Sequence, residues 1–263
     1  MLKNITIGQY IAGNSIIHQL DPRIKIINII ILVTSLFLID GFIGFALFAG
    51  FITLIIIFSG LPVKKIIKGL KPIFFLVLIT LISHLFFTRG GTVYWQWGFI
   101  SIEEEGVFTG LFMVSRILLL IMVTSILTLT TTPLQLTDGI EYLLSPLKKV
   151  GVPAAELSMM MTIALRFIPT LLEEADKIMK AQMARGADFE SGNIIRRAKS
   201  LIPLLVPLFI SAFRRADDLA LAMESRCYRG GEGRTRLHEL SINRMDIMAL
   251  IISLMMAAGV SLF

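Results

Sequence analysis

The chain has 263 residues, of which 55% are hydrophobic and only 17% charged, and its mean hydropathy is +0.80. This composition excludes an ordinary soluble domain, in which about a quarter of the residues are charged, and indicates an integral membrane protein. The formal net charge of +6 fits lysine and arginine beside anionic lipid, so it gives no support to nucleic-acid binding. A single cysteine, Cys227, excludes an internal disulfide and leaves no cysteine cluster for a metal.

Five apolar segments predict membrane-spanning helices, because crossing the hydrocarbon core takes about 20 apolar residues in a helix. Their apolarity is continuous rather than alternating, which excludes the strands of a closed barrel. The predicted spans are residues 26–39, 42–59, 72–87, 107–130 and 247–263. The sequence therefore predicts an all-α integral membrane protein with about five transmembrane helices.

Lysine and arginine in short loops indicate the orientation, because cytoplasmic connections are enriched in them. The second connection carries four lysines and no acid, whereas the third, residues 88–106, sets Arg89 against three glutamates. These residues are Lys64, Lys65, Lys68 and Lys71, and Glu103, Glu104 and Glu105. We therefore predict a multi-pass protein of the cell membrane, with a cytoplasmic amino terminus, residues 131–244 in the cytoplasm and the carboxyl terminus outside.

The charged residues are concentrated in one region. Residues 133–245 contain 16 of the 25 Lys and Arg and 13 of the 19 Asp and Glu, yet apolar stretches recur at 157–165 and 201–213. Long amphipathic helices at the membrane boundary fit both observations. We predict three regions: a bundle of four transmembrane helices over 1–131, cytoplasmic helices over 132–235, and a last transmembrane helix within 236–263.

Capping residues place the helices of this region. Thr132 followed by Pro133 predicts a helix start, and Gly151 with Pro153 predicts the end of that helix and the start of the next. The second helix is predicted over 153–185 and the third from about 193 to 226, each followed by glycine. Prolines inside these two helices predict that they are kinked or split there; they are Pro169, Pro203 and Pro207.

The ends of the second and third helices form an internal repeat with an offset of 41 residues. The offset places Ala175-Asp176 over Ala216-Asp217 and Arg185 over Arg226. It also places two acids over two bases, which could form ion pairs if the helices cross; these residues are Glu173, Glu174, Arg214 and Arg215.

Arg185 and Arg226 each close a long helix, and two interpretations of them are open. A cation in the last turn interacts favourably with the helix dipole, so each arginine could simply terminate its helix. Alternatively, the small residues Ala184 and Ser225 would let a partner approach, and the five-donor guanidinium could bind carboxylates or carbonyls in a groove of that partner.

Three stretches carry a family resemblance. They are residues 18–25 (HQLDPRIK), residues 165–169 (LRFIP) running on to 181–186 (AQMARG), and residues 215–228 (RADDLALAMESRCY). The chain resembles the transmembrane T component of energy-coupling factor transporters, which are ABC-type importers of vitamins and trace metals. The likeness extends from about residue 10 to the final helix, and the paired arginine motifs are its most specific part.

The resemblance implies that two ABC ATPase subunits and a small membrane subunit that captures the substrate work with this chain. Its crossed amphipathic coupling helices, within 132–235, would dock on the ATPases through Arg185 and Arg226, with Ala184, Gly186 and Ser225 as close neighbours. One departure is Cys227, where the family commonly has glycine. We expect the turn after Arg226 to depend on Gly230 and Gly231 instead.

The chain lacks a glycine-rich loop ending in Lys-Ser or Lys-Thr, and it has neither a zinc-protease nor a serine-hydrolase motif. We therefore expect no enzymatic activity and no cofactor in this chain, with ATP hydrolysed by the partners. A self-contained secondary transporter or channel is the alternative, although intramembrane acids and repeats among the spans are absent. Met159, Met160 and Met161 could serve adaptable docking or simple packing, and Arg116, inside the fourth span, is expected to bond backbone carbonyls.

Overall fold

The computed structural model describes residues 10–97, 100–187, 189, 193, 195, 199–230 and 240–260. The helices found there are α1 (Ile16–Gln19), α2 (Pro22–Phe37), α3 (Phe42–Ser59), α4 (Val63–Leu70), α5 (Phe74–Phe87), α6 (Glu104–Thr130), α7 (Pro133–Leu144), α8 (Ala154–Ala184), α9 (Ile202–Ser225) and α10 (Arg244–Val260). Short 3-10 helices follow α4 (Lys71–Ile73) and α7 (Ser145–Val150). Within these ranges the strands are β1 (Val93–Trp97) and β2 (Ile100–Glu103), which are both short. Because most of the described residues are helical, the prediction of an all-α membrane protein is confirmed.

Contacts divide the described residues into two units. The bundle unit contains residues up to 139 together with those from 240 onward, and the paired-helix unit contains residues from 140 to 230. In the bundle unit, α6 packs against α2, α3, α4 and α5, and α10 packs against α2 and α3. The core side chains there include Leu36, Phe48, Ile52, Val123 and Val260.

Four of the described helical segments are long and apolar enough to cross a membrane: Phe42–Ser59, Val63–Phe87, Glu104–Thr130 and Ala154–Ala184. The first three contain the predicted second, third and fourth spans. The first and last predicted spans correspond to α2, with 16 residues, and α10, with 17 described residues, so both are slightly shorter than those four. The last of the four, α8, meets the same length and composition although we assigned it to the cytoplasmic region.

Hydrogen bonds of capping residues begin two of the helices, and the start of α7 is where the sequence predicts it. In α7, the backbone N–H of Gln135 donates to the Thr132 hydroxyl, and the Gln135 side chain accepts from the Thr132 N–H. This reciprocal pair satisfies two of the donors that a helix start leaves unbonded. In α2, the Asp21 carboxylate accepts from the N–H of Arg23, and Pro22 occupies the first turn, where its missing N–H is not needed.

Two long helices, α8 and α9, form the paired-helix unit and pack against each other. Both continue through their internal prolines, Pro169 and Pro207, so neither is split at these two residues. The predicted start of the third helix near residue 193 lies in a stretch that is largely outside the described residues. Lys199 and Ser200 are helical, but a turn at Leu201 interrupts the helix before α9 begins at Ile202. The predicted third helix is therefore split beside Pro203, which lies in the first turn of α9, where proline is tolerated.

The connection between α5 and α6 is an antiparallel hairpin of β1 and β2. Glu103 ends the hairpin and directly precedes α6, and its carboxylate accepts hydrogen bonds from the Ser101 hydroxyl and the Gly90 N–H. The Ser101 hydrogen bond, followed by the Gly90 N–H and the charge of Arg89, holds the pKa of Glu103 below its ordinary value. Tyr94 and Trp95 are exposed on this hairpin, as interfacial anchors would be.

Candidate functional site

The end of α8 is a Schellman turn built around Gly186. Arg185 is the C-cap residue, the Gly186 N–H donates to the Met183 carbonyl (3.0 Å), and the Ala187 N–H donates to the Gln182 carbonyl (2.9 Å). Gly186 has a φ of +88°, a left-handed conformation that glycine adopts without steric cost. The sequence prediction that the helix ends in this Arg-Gly pair is confirmed.

The end of α9 repeats the same turn without glycine. The Cys227 N–H donates to the Glu224 carbonyl (2.9 Å), and the Tyr228 N–H donates to the Met223 carbonyl (3.0 Å). Cys227 itself takes the left-handed conformation, with a φ of +58°. The turn therefore does not depend on Gly230 as expected, because the two hydrogen bonds fix which residue must adopt the left-handed conformation. Gly231, the other glycine of that expectation, lies outside the described residues.

A left-handed non-glycine residue costs roughly 1–2 kcal/mol, because its Cβ crowds the following carbonyl oxygen. The turn at Cys227 accepts this cost and keeps Arg226 at the C-cap, the position that Arg185 has in α8. The two arginines are thus equivalent in backbone geometry as well as in sequence offset. The departure from the family pattern at Cys227 therefore does not change the turn.

Both arginines are exposed, and so are Ala184, Gly186 and Ser225. The Ser225 hydroxyl donates to the Ala222 carbonyl within its own helix (2.9 Å). Neither guanidinium forms an ion pair with another residue in the part of the chain that the structure describes. Each helix end therefore presents a charged fork beside small side chains, which suits recognition of carboxylate or carbonyl oxygens on a partner.

A polar contact joins the two helices further back. The Arg215 guanidinium donates to one oxygen of Glu174 at 2.9 Å, and the Ser211 hydroxyl donates to the other oxygen. Glu174 and Arg215 are 41 positions apart, which is the offset of the internal repeat, so equivalent positions of the two helices face each other. No ion pair joins Glu173 to Arg214 among the described residues. Ser211 had no signal in the sequence, since serine inside a helix usually bonds its own backbone.

An apolar groove lies beside this contact. Its volume is about 400 Å³, and its lining combines residues of both helices, among them Ile168, Leu171, Phe209 and Ala212. Ile168 and Phe209, like Leu171 and Ala212, are again separated by the repeat offset. Phe209 and Phe213 expose 61% and 68% of their surface. An apolar surface of this kind is typical of a partner-binding or lipid-facing region.

The bundle unit contains a buried cluster of four charged residues, only part of which the sequence indicated. Asp21, Arg23, Lys25 and Asp246 are all at most 6% exposed. The Asp21 carboxylate binds the Arg23 guanidinium through two hydrogen bonds, at 3.0 and 2.8 Å. In the sequence, Asp21 and Arg23 belong to the stretch 18–25 that carries the family resemblance, and nothing in that stretch predicted their burial.

Asp246 links this cluster to the last helix. One of its oxygens accepts from the Asp21 N–H (2.8 Å) and the other from the Asn243 N–H at the start of α10 (2.7 Å). The Lys25 ammonium donates to the carbonyls of His18 (3.0 Å) and Thr130 (3.2 Å). The cluster is formally neutral, and it ties the starts of α2 and α10 to the end of α6.

Arg116 behaves as the sequence predicted. Its guanidinium donates to the Ile39 carbonyl at 2.8 Å, and it lies within 6 Å of the ring centres of Phe37 and Phe45. A backbone carbonyl and two aromatic faces therefore partner this charge inside the bundle. No group of three or more His, Cys, Asp or Glu side chains that could hold a metal occurs among the described residues.

Comparisons with known proteins agree with these observations. A family model described as cobalt transport protein, CbiQ, matches residues 13–237. The energy-coupling factor transporter transmembrane protein EcfT of Thermosediminibacter oceani is 57% identical over 98% of this chain and 97% of its own length. The proteins of that name from Ruminiclostridium cellulolyticum (56% identical, 94% of this chain and 92% of its own) and Bacillus subtilis (48%, 100% and 99%) are also similar.

The family model and these relatives place the chain in the class of membrane components of transporters. Within that class, the chain belongs to the CbiQ family, the transmembrane components of energy-coupling factor transporters. The resemblance on which the sequence interpretation rests is therefore confirmed.

Proposed function

We propose that this chain couples two ABC ATPase subunits to a separate small membrane subunit that captures the substrate, in the uptake of a vitamin or a trace metal. ATP is hydrolysed by the partners, and the chain itself uses no cofactor. The protein spans the cell membrane several times, with its amino terminus and coupling helices in the cytoplasm. The paired helices α8 and α9 transmit the movement.

The observation that carries this proposal is the repeated helix end. Arg185 and Arg226 have the same C-cap geometry, the same exposure and the same kind of small neighbour, at positions 41 residues apart. One chain with two equivalent docking ends suits two copies of one kind of partner, or two closely related partners. The absence of a phosphate-binding loop from the sequence supports an external source of energy.

The contact between Glu174, Ser211 and Arg215 holds α8 and α9 together at one position along their lengths. Movement of one helix end relative to the other then reshapes the surface near this point, including the apolar groove lined by Ile168 and Phe209. We assign that groove and its exposed phenylalanines to the substrate-capture subunit. A change in affinity for that subunit requires different contacts in the two nucleotide states of the ATPases.

The test is charge reversal at both ends in the complete complex. Arg185→Glu with Arg226→Glu should abolish co-purification of the ATPases and reduce uptake to background, because each guanidinium is replaced by a carboxylate facing the same acceptors. Arg89→Glu is the matched control, since it makes the same change at an exposed arginine of the α5–β1 connection and should leave assembly intact.

Normal assembly and uptake in the double variant would contradict the docking assignment. A second test increases the size of the neighbouring side chains. Ala184→Trp and Ser225→Trp keep both arginine charges but obstruct the close approach of the ATPases. Proteoliposomes that contain this chain alone separate the proposal from the alternative of a self-contained transporter or channel. We expect no transport from them, and transport at the rate of the full complex would favour the alternative.

A further inference from the structure

The charged residues of the short helix α4 are all lysines. Its residues Lys64, Lys65 and Lys68, with Lys71 just beyond its end, are all exposed, and the sequence contains no acidic residue between Asp40 and Glu103. None of these four lysines forms an ion pair within the described residues. The function proposed above makes no use of them. We define these four residues as the α4 lysine face.

The position of this face at a membrane surface follows from its neighbours. The apolar segment Val63–Phe87 begins with α4 and continues through α5, and it follows the segment Phe42–Ser59 after a short turn. Because α4 is the first part of the second of these consecutive crossings, it lies at one side of the bilayer. Pro62 and Gly60 make the turn out of α3, with Gly60 in the left-handed conformation at a φ of +64°. This placement holds whichever side of the membrane the connection faces.

Packing fixes which way the lysines point. Ile66 is only 2% exposed and packs with Leu61 and Leu129 in a small core between α4 and the end of α6. Two residues correspond to about 200° of rotation in an α-helix, so Lys64 and Lys68 lie on the side of α4 opposite Ile66. Burial of Ile66 therefore turns Lys64 and Lys68 outward, and neither has an acidic partner among the described residues.

The edges of the helix are apolar and also exposed. Val63 and Ile67 expose 57% and 56% of their surface, although both are aliphatic. A helix with lysines on one side, an anchored residue on the other and bare aliphatic edges matches the interfacial region of a bilayer, where headgroups meet acyl chains. Lysine stems can lie along the aliphatic edge while their ammonium groups reach the phosphates.

We propose that the α4 lysine face binds the headgroups of anionic phospholipids at the membrane surface, with Val63 and Ile67 in contact with the first acyl carbons. The partner is identified by charge complementarity, because none of the four ammonium groups is ion-paired within the described residues and anionic headgroups supply the opposite charge. Each lysine near an anionic bilayer surface contributes about a fivefold increase in affinity. Four of them together give clear selectivity over a zwitterionic lipid.

The experiment titrates fluorescent phosphatidylglycerol, and separately fluorescent phosphatidylcholine, into the purified full-length chain in a non-ionic detergent. We expect tighter binding of phosphatidylglycerol, weakened by added salt. Replacing all four lysines by glutamine should weaken phosphatidylglycerol binding at least tenfold and leave phosphatidylcholine binding unchanged. Replacing all four by arginine keeps the charge and should preserve selectivity.

Four results would overturn the proposal. Equal affinity of the unaltered chain for the two lipids is the first, and undiminished phosphatidylglycerol binding by the glutamine variant is the second. The third is loss of ATPase co-purification in the glutamine variant while lipid selectivity persists, which would assign the lysines to a protein partner. Inorganic phosphate is the remaining arm, and it should fail to displace the lipid at equal concentration, because displacement would indicate a site for the free anion.

Discussion

The buried cluster around Asp246 gives the sharpest prediction for stability. Asp246 is 1% exposed and accepts one hydrogen bond on each oxygen, from the N–H groups of Asp21 and Asn243. Asp246→Asn keeps one acceptor but turns an amide N–H₂ toward the other donor. It also removes one negative charge from a cluster that contains the cations Arg23 and Lys25.

The lost hydrogen bond and the lost charge together set the size of the expected decrease in stability. A hydrogen bond to a charged group contributes about 1.5–3 kcal/mol. Removing one partner from a buried charged pair costs about 3–5 kcal/mol, because the remaining charge is left uncompensated. Since the Lys25 ammonium keeps its two carbonyl acceptors, we take the lower part of this range. We expect Asp246→Asn to lower the free energy of unfolding by about 3 kcal/mol.

The assay is unfolding of the purified chain in mixed micelles with a denaturing detergent. Asp40→Asn is the matched control, because Asp40 is exposed and the same substitution there should change stability by less than about 0.5 kcal/mol. Adding Lys25→Met to Asp246→Asn restores the neutrality of the cluster and should recover part of the loss. If the free energy of unfolding of Asp246→Asn equals that of the Asp40→Asn control, the reasoning about the buried charge is refuted.

Two further predictions concern packing and the paired helices. Gly139→Ala should cost about 1–3 kcal/mol, because the added Cβ would lie 3.0 Å from Ile26 Cδ1 and 3.3 Å from the carbonyl carbon of Pro22 in the first turn of α2. Gly50→Ala, whose Cβ meets nothing within 4 Å, should cost nothing in the same unfolding assay, and equal losses would disprove the clash. A double-mutant cycle of Glu174→Gln and Arg215→Gln should give a coupling energy of about 1 kcal/mol, since both side chains are partly exposed (24% and 39%). The same cycle on Glu173 and Arg214 should give none, and a similar value there would show that the coupling is general charge attraction.

Helix ends were the most predictable part of this chain. Thr132-Pro133 and Arg185-Gly186 were placed correctly, because capping depends on hydrogen bonds between residues three to five positions apart. The second arginine shows the limit of this reasoning. A missing glycine predicted a displaced turn after Arg226, and the structure keeps the turn by placing Cys227 in the left-handed region.

The contact between the paired helices was predictable only as a set of candidates. The offset of 41 residues aligned two glutamates with two arginines, and the structure joins Glu174 to Arg215. Which acid meets which base depends on how each helix is rotated about its axis. Packing of the apolar faces sets that rotation, and a repeat in the sequence does not contain it.

The sequence by itself determined that this is a helical membrane protein of the CbiQ family, with two long helices that end in equivalent arginines. These properties follow from apolar runs, local capping and motif spacing, all of which are readable along the chain. Only the tertiary structure decided that Asp246 accepts from the N–H of Asp21, 225 positions away, and that Ser211 completes the contact at Glu174. Such pairings arise when packed helices bring distant polar groups into a buried space, where each group must find a partner.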